Sequence, residues 1–261
     1  MRRFWLTLAV LAPGLLCVFL LFSDRLRSPP DVRVVVDRAL QAHGGGERIA
    51  LSRRGRVKGK MVVELGPPPA PTMHAEWNET FDLPERLKRD IRMRMMGEER
   101  NMRYALREGL WYMEKPDGGI EVTENKGFGA ENHLTGTLTV LDALRNETDT
   151  LEMILPSDTK YPGTIGLRSK GTHSLPEIYF DKKTGLLTHV RKSVELPPMM
   201  GGSGIMETVN SEFKDIDGMK MPMHIEVFKE GRRMMDITLT EVKFLDHVDD
   251  SEFELEGEKK P

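Results

Sequence analysis

The residues that could do chemistry are few and scattered. Seven histidines, at 43, 74, 133, 173, 189, 224 and 247, form neither H-E-x-x-H nor any tight Cys/His ligand spacing, so no metal site is expected. The only cysteine, Cys17, lies in an N-terminal apolar run and leaves the remainder with no disulfide and no thiolate. His43 precedes Gly44-Gly45-Gly46, but these glycines lack the Lys-Ser/Thr of a phosphate loop and follow a helical pattern, so they read as a helix end. Ser203 sits in the frame Gly-Gly-Ser-Gly-Ile, which misses the Gly-x-Ser-x-Gly of a nucleophile elbow and reads as a loop. Asp249 and Asp250 are adjacent, an arrangement that rarely aims two carboxylates at one substrate, and read as caps of a last turn. Asn78 and Asn146 each open an Asn-Glu-Thr sequon, informative only in a eukaryotic secretory setting. The expectation is a protein that is not an enzyme and uses no cofactor and no metal.

Composition and the N-terminus narrow the class. With 38 basic and 41 acidic side chains the formal net charge is -3, which lacks the basic footprint of a nucleic-acid binder. Arg2 and Arg3 precede a charge-free run over residues 4–22, longer than the usual signal-peptide core and close to the length that spans a bilayer. Ala12-Pro13-Gly14 fits a small-x-small cleavage pattern but comes too early. Leu16 before Cys17 is a poor lipidation site. An uncleaved anchor is favoured over a cleaved signal, with export of the C-terminal domain. The division expected is 1–30 as membrane segment and linker, and 31–261 as one domain with room for a sizeable core.

Beyond the linker, Val32, Val35, Val36, Ala39 and Leu40 mark one face of a short helix that starts after Asp31 and stops near Gly44. From Leu51 the pattern alternates with period two between turn residues, which predicts antiparallel strands. Leu87, Arg89, Ile91, Met93 and Met95 share one face of such a strand, with Arg92 and Arg94 opposite. A second helical pattern places Leu134, Leu138 and Leu141 at i, i+4 and i+7, with Leu144 close by. Near the C-terminus Met219, Met221, Met223, Ile225 and Val227 alternate with Lys220, Pro222, His224 and Glu226, and Met235, Ile237 and Leu239 answer them on the next strand. Asp217-Gly218 and Glu230-Gly231 are two-residue turns by composition, and a phase switch before Val242 predicts a bulge around Thr240 and Glu241. The fold class is α+β: a strongly curved antiparallel sheet of about eleven strands with covering helices.

Methionine is the compositional oddity, 17 of 261 residues. Its unbranched, polarizable side chain packs irregular cores and also suits walls that meet variable apolar ligands. Alternation alone favours ordinary core packing; a curved sheet behind a membrane segment shifts the reading toward a cavity.

The stretch Glu177 to Glu195, with its turn at Asp181 to Gly185 before Leu186-Leu187, resembles the C-terminal half of the bacterial outer-membrane lipoprotein-sorting proteins, the LolA/LolB-like superfamily. So do Phe213-Lys214-Asp215, Asp217-Gly218, Met221-Pro222 and Val248-Asp249-Asp250 with Phe253. Val35 to Ile49 is similar to the family's first helix and entry strand. The resemblance covers roughly 40% of the chain and implies a half-barrel around an apolar cavity closed by helices, holding acyl chains without covalent chemistry. It implies that Met219, Met221, Met223, Ile225, Val227, Met235, Ile237, Leu239, Ile91 and Met93 line the cavity, and that the helix bearing Leu134, Leu138 and Leu141 is a lid. The partners implied are lipid or lipoprotein acyl chains, the membrane through residues 4–22, and an envelope protein. The place implied is the inner membrane facing the periplasm, or the periplasm itself if the N-terminal segment is cut. A carrier is the first reading and a sensor of the same fold the second.

Overall fold

The computed structural model describes residues 31–66, 69–95, 97–124, 134–155, 157–171, 176–194 and 202–255. Two short helices, α1 (Val32–Ala42) and α2 (Gly46–Leu51), lead into strands β1 (Arg54–Glu64), β2 (Thr72–Asp82), β3 (Arg86–Met95), β4 (Glu98–Arg107), β5 (Leu110–Glu114) and β6 (Ile120–Glu124). Helix α3 (Leu134–Asn146) follows, then β7 (Leu151–Met153), β8 (Thr164–Ser169), β9 (Glu177–Asp181), β10 (Leu187–Val194), β11 (Gly204–Ile216), β12 (Met219–Lys229) and β13 (Arg232–Phe244). The thirteen strands of the described residues join one open sheet in the order β6-β5-β4-β3-β2-β1-β13-β12-β11-β10-β9-β8-β7. Every pairing is antiparallel. The closing pair β1–β13 brings the two ends of the domain sequence together at the centre of the sheet.

The strand count exceeds the expected eleven because the alternating stretch from Arg100 to Gly119, read as a single strand, holds most of β4 and all of β5, and Ile120 opens β6. Glu108 and Gly109 both take positive φ, 51° and 74°, which makes the tight β4–β5 turn. The turns foreseen at Asp217-Gly218 (φ 50° and 83°) and Glu230-Gly231 (50° and 76°) form as expected. The predicted bulge is present: Lys58 pairs with Glu241 and Gly59 with Leu239, so Thr240 has no partner across β1. A second irregularity passes over Met234, between Val227↔Met235 and Phe228↔Arg233.

One face of the sheet is covered by helices. Val35, Val36, Ala39 and Leu40 of α1, Ile49 of α2 and Leu138, Leu141 and Leu144 of α3 form a single buried core with the inward side chains of β1, β2 and β8–β13. Burial of such side chains is worth roughly 1.5–3 kcal/mol each and is the main force holding the helices on the sheet. Glycines make room within it. A Cβ at Gly59 would stand 2.7 Å from Trp77 Nε1, and one at Gly55 would stand 2.8 Å from Phe81 Cζ, so both rings lie directly over β1.

The C-terminal end of α1 is fixed by two hairpin turns. Arg38 Nη2 donates to the carbonyls of Lys182 and Lys183 at 2.7 and 2.8 Å, in the turn that Asp181 Oδ1 organises by accepting from the amides of Lys183 and Thr184. Gly44, at φ 115°, lies so close to the β11–β12 turn that a Cβ would be 2.3 Å from Gly218 O. The glycine triplet is therefore the helix end it was read as, and the motifs at Asp181–Gly185 and Asp217-Gly218 meet at one docking point.

Candidate apolar ligand site

The registers assemble the inward residues into rows that cross the sheet. One row runs Ile225, Ile237, Met61, Ala75, Met93, and the next runs Leu239, Gly59, Trp77, Ile91, Met102. Each row is most exposed at its β3–β4 end. Ile225 and Ile237 are 0% exposed, Met61 8% and Ala75 5%, while Met93 is half-buried. Trp77 is 2% exposed, Ile91 is half-buried and Met102 reaches 37%. Met113 on β5, one row further, stands at 38%. Along these rows the helix-covered face is buried on β12, β13, β1 and β2 and opens at Ile91, Met93, Met102 and Met113 of β3–β5, while Leu87, Arg89, Leu106 and Trp111 on those strands stay buried.

The ten side chains expected to line a cavity fall on this face, in two groups. Met219, Met221, Met223, Ile225, Val227, Ile237 and Leu239 are buried members of the core that includes α1 and α3. Met235, Ile91 and Met93 are partly buried against that core. On the helix expected as a lid, Leu138 and Leu141 are buried, and the side chain of Leu134 lies outside the described residues. The open flank adds Met102 and Met113, which sequence reading passed over because the stretch around them was not divided into strands.

A charged pair interrupts the apolar rows. Glu79 and Arg89 face each other between β2 and β3, 2% and 4% exposed, and form a salt bridge. Arg89 Nη1 also donates to Tyr104 Oη at 2.8 Å, and its guanidinium lies 5.3 Å from the Trp77 ring centre and 5.5 Å from that of Tyr104. Burial, the largest single effect, would lower the pKa of Arg89, but the Glu79 carboxylate and the Tyr104 hydroxyl together outweigh it and hold the value above the ordinary one. Burial pushes the Tyr104 hydroxyl up. Sequence carried the signal: period two puts Glu79 between Trp77 and Phe81, and Arg89 between Leu87 and Ile91.

The opposite face is polar. Two adjoining grooves of about 490 and 480 Å³ cross it over β13 and β1–β4, sharing Lys60, Glu76 and Arg92. Their charges are largely paired, as in Lys58–Glu241 at 2.7 Å, Lys60–Glu76 at 3.6 Å and Arg92–Glu99 at 3.3 Å. Asp249 precedes a 3-10 turn, Asp250–Phe253, and accepts the Glu252 amide through its carbonyl; Asp250 pairs with Arg86. Ser203 is exposed in a bend before β11. Among the described residues no cluster of three or more His, Cys, Asp or Glu could hold a metal ion. Among them, too, no helix is long and apolar enough to cross a membrane; the run over residues 4–22 lies outside the described residues.

No protein-family model and no curated protein matches the chain in sequence. Solved structures do match. A LolA superfamily protein from Nitrosomonas europaea aligns with a TM-score of 0.54 at 10% identity, over 87% of this chain and 99% of that one. A domain named for outer-membrane lipoprotein sorting, from Vibrio parahaemolyticus, aligns with a TM-score of 0.51 at 11% identity, over 84% and 97%. The chain has the LolA-like fold.

Proposed function

We propose that this protein is an envelope-facing binding protein, tethered by residues 4–22, that holds lipid or lipoprotein acyl chains against the helix-covered face of a half-barrel. The observation that carries the reading is the graded opening of that face. An apolar surface leads from Met102, more than a third exposed, through Ile91 and Met93 to the sealed side chains of β12, with the equally exposed Met113 beside it in the row of Tyr104 and Arg89. An acyl chain laid on the open flank would bury apolar area at about 0.8 kcal/mol per CH₂, and the unbranched methionines would adapt to its shape. Entry deeper, to Met221 and Ile225, requires α1 and α3 to move off the sheet, as the core has no exposed surface there. The likeness of fold supports this reading, and the name of the Vibrio domain agrees with it.

The direct test is titration of residues 31–261 with a fluorescent fatty-acid probe. Saturable binding, displaced by phospholipid, is expected. A folded domain that leaves the probe free in water contradicts the proposal.

A further inference from the structure

On the face away from the helices, Ser211, His224 and Asp236 stand side by side on β11, β12 and β13. Ser211 and His224 are directly opposed in register, with Ser211 Oγ 3.1 Å from His224 Nδ1. The other ring nitrogen, Nε2, lies 3.0 Å from Asp236 Oδ1. In the neutral ring with Nε2–H donating to the carboxylate, Nδ1 can accept from the serine hydroxyl, which also lies 3.4 Å from the His224 carbonyl oxygen. The side chains of His224 and Asp236 are 24% and 31% exposed, so the relay is open to solvent. Arg233 Nη1 donates to Asp236 Oδ2 at 3.0 Å and to Glu226 at 3.4 Å, and Thr238 lies opposite His224.

The backbone beside the serine is also unusual. Glu212 has φ 52°, a left-handed conformation rare for a non-glycine residue within a strand. The β11–β12 register runs without a shift from Ser211↔His224 to Phe213↔Pro222, so Glu212 stands opposite Met223. Strain of this kind concentrates at functional sites.

We propose that Ser211 is an acyl-accepting nucleophile, with His224 as its general base and Asp236 as the residue that positions the imidazole, and that the substrate class is a carboxylic ester presented to the polar face. Ser211 Oγ attacks the ester carbonyl carbon and its proton passes to His224 Nδ1. Collapse of the tetrahedral adduct breaks the bond to the alkoxy group, which takes that proton and departs as the alcohol. Water then adds to the acyl-serine and gives a proton to His224. Release of the carboxylic acid returns the proton to Oγ. The site lies across the sheet from the apolar surface and does not rest on the lipid reading. It runs against the expectation of no nucleophilic constellation, because residues 211, 224 and 236 are joined only by strand pairing.

The test treats the full chain with a fluorophosphonate probe and with p-nitrophenyl butyrate. A single adduct mapped to Ser211 is expected, with ester turnover reduced at least about 100-fold in Ser211→Ala and His224→Gln. Asp236→Asn should lower kcat with KM little changed, with partial rescue by Asp236→Glu. A folded wild type that takes no adduct, or labelling undiminished in Ser211→Ala, overturns the proposal and leaves a cross-strand hydrogen bond. Should Ser211→Ala lose its fold, peptide mapping of the wild-type adduct decides: Ser211 supports the assignment and any other residue refutes it.

Discussion

The amide N–H of Leu187 donates to Nε2 of His43 at 3.0 Å, which leaves Nδ1–H to donate to the carbonyl of Lys220 at 2.7 Å. A neutral imidazole thus joins the end of α1 to β10 and β12. Burial pushes its pKa down to about 4. Between pH 6.5 and about 4 the unfolded chain binds a proton that the folded one refuses, so stability falls as pH falls through that window and is complete above it. The loss is about 3 kcal/mol, taking about 1.4 kcal/mol per pKa unit. Urea unfolding at pH 7 and pH 4.5 should show it. In His43→Gln the protein should be weaker at pH 7 and its pH dependence flatter; an unchanged pH slope would contradict the assignment.

Gly44→Ala should destabilise the domain by about 2–4 kcal/mol, since it combines a left-handed φ of 115° with a Cβ 2.3 Å from Gly218 O. Gly109→Ala is the control, with φ 74° but nothing within 4 Å of the added carbon, and should cost only about 1 kcal/mol. Equal melting temperatures for the two variants would show that α1 does not dock on the β11–β12 turn.

Removing one partner of the Glu79–Arg89 pair leaves a buried charge, so Glu79→Gln or Arg89→Met alone should cost about 3–5 kcal/mol. The double variant should lose less than the sum. A double-mutant cycle by denaturant unfolding measures the coupling, and additive losses would mean that the two side chains act independently.

Met102→Glu and Met113→Glu should leave the fold intact and weaken acyl binding, because both side chains already meet solvent. Met221→Glu together with Ile237→Glu should instead unfold the sheet, as both positions are 0% exposed. Circular dichroism separates the two outcomes. Unimpaired probe binding by the folded Met102/Met113 double variant would place the ligand elsewhere.

Local chemistry was legible in the sequence, and long-range pairing was not. The turn at Asp217-Gly218, the helix stop at Gly44 and the bulge at Thr240 were readable because each depends on a few adjacent residues. The β4–β5 turn was missed because Glu108-Gly109 is a weaker turn signal than Asn-Gly or Asp-Gly and is flanked by Arg107 and Leu110 without clear alternation. Glu79–Arg89 and Ser211–His224–Asp236 depend on register across neighbouring strands, which no single segment encodes. The inward face of β12 was predicted correctly, yet periodicity could not tell core from cavity wall, since both require the same alternation.

The central claim, that the apolar face holds acyl chains, is tested most directly by native mass spectrometry with organic extraction of residues 31–261, exported in cells and purified without detergent. The account predicts a stoichiometric phospholipid or acylated peptide, diminished in the Met102→Glu/Met113→Glu variant. An empty, stably folded domain that also fails to take up lipid on incubation would contradict it.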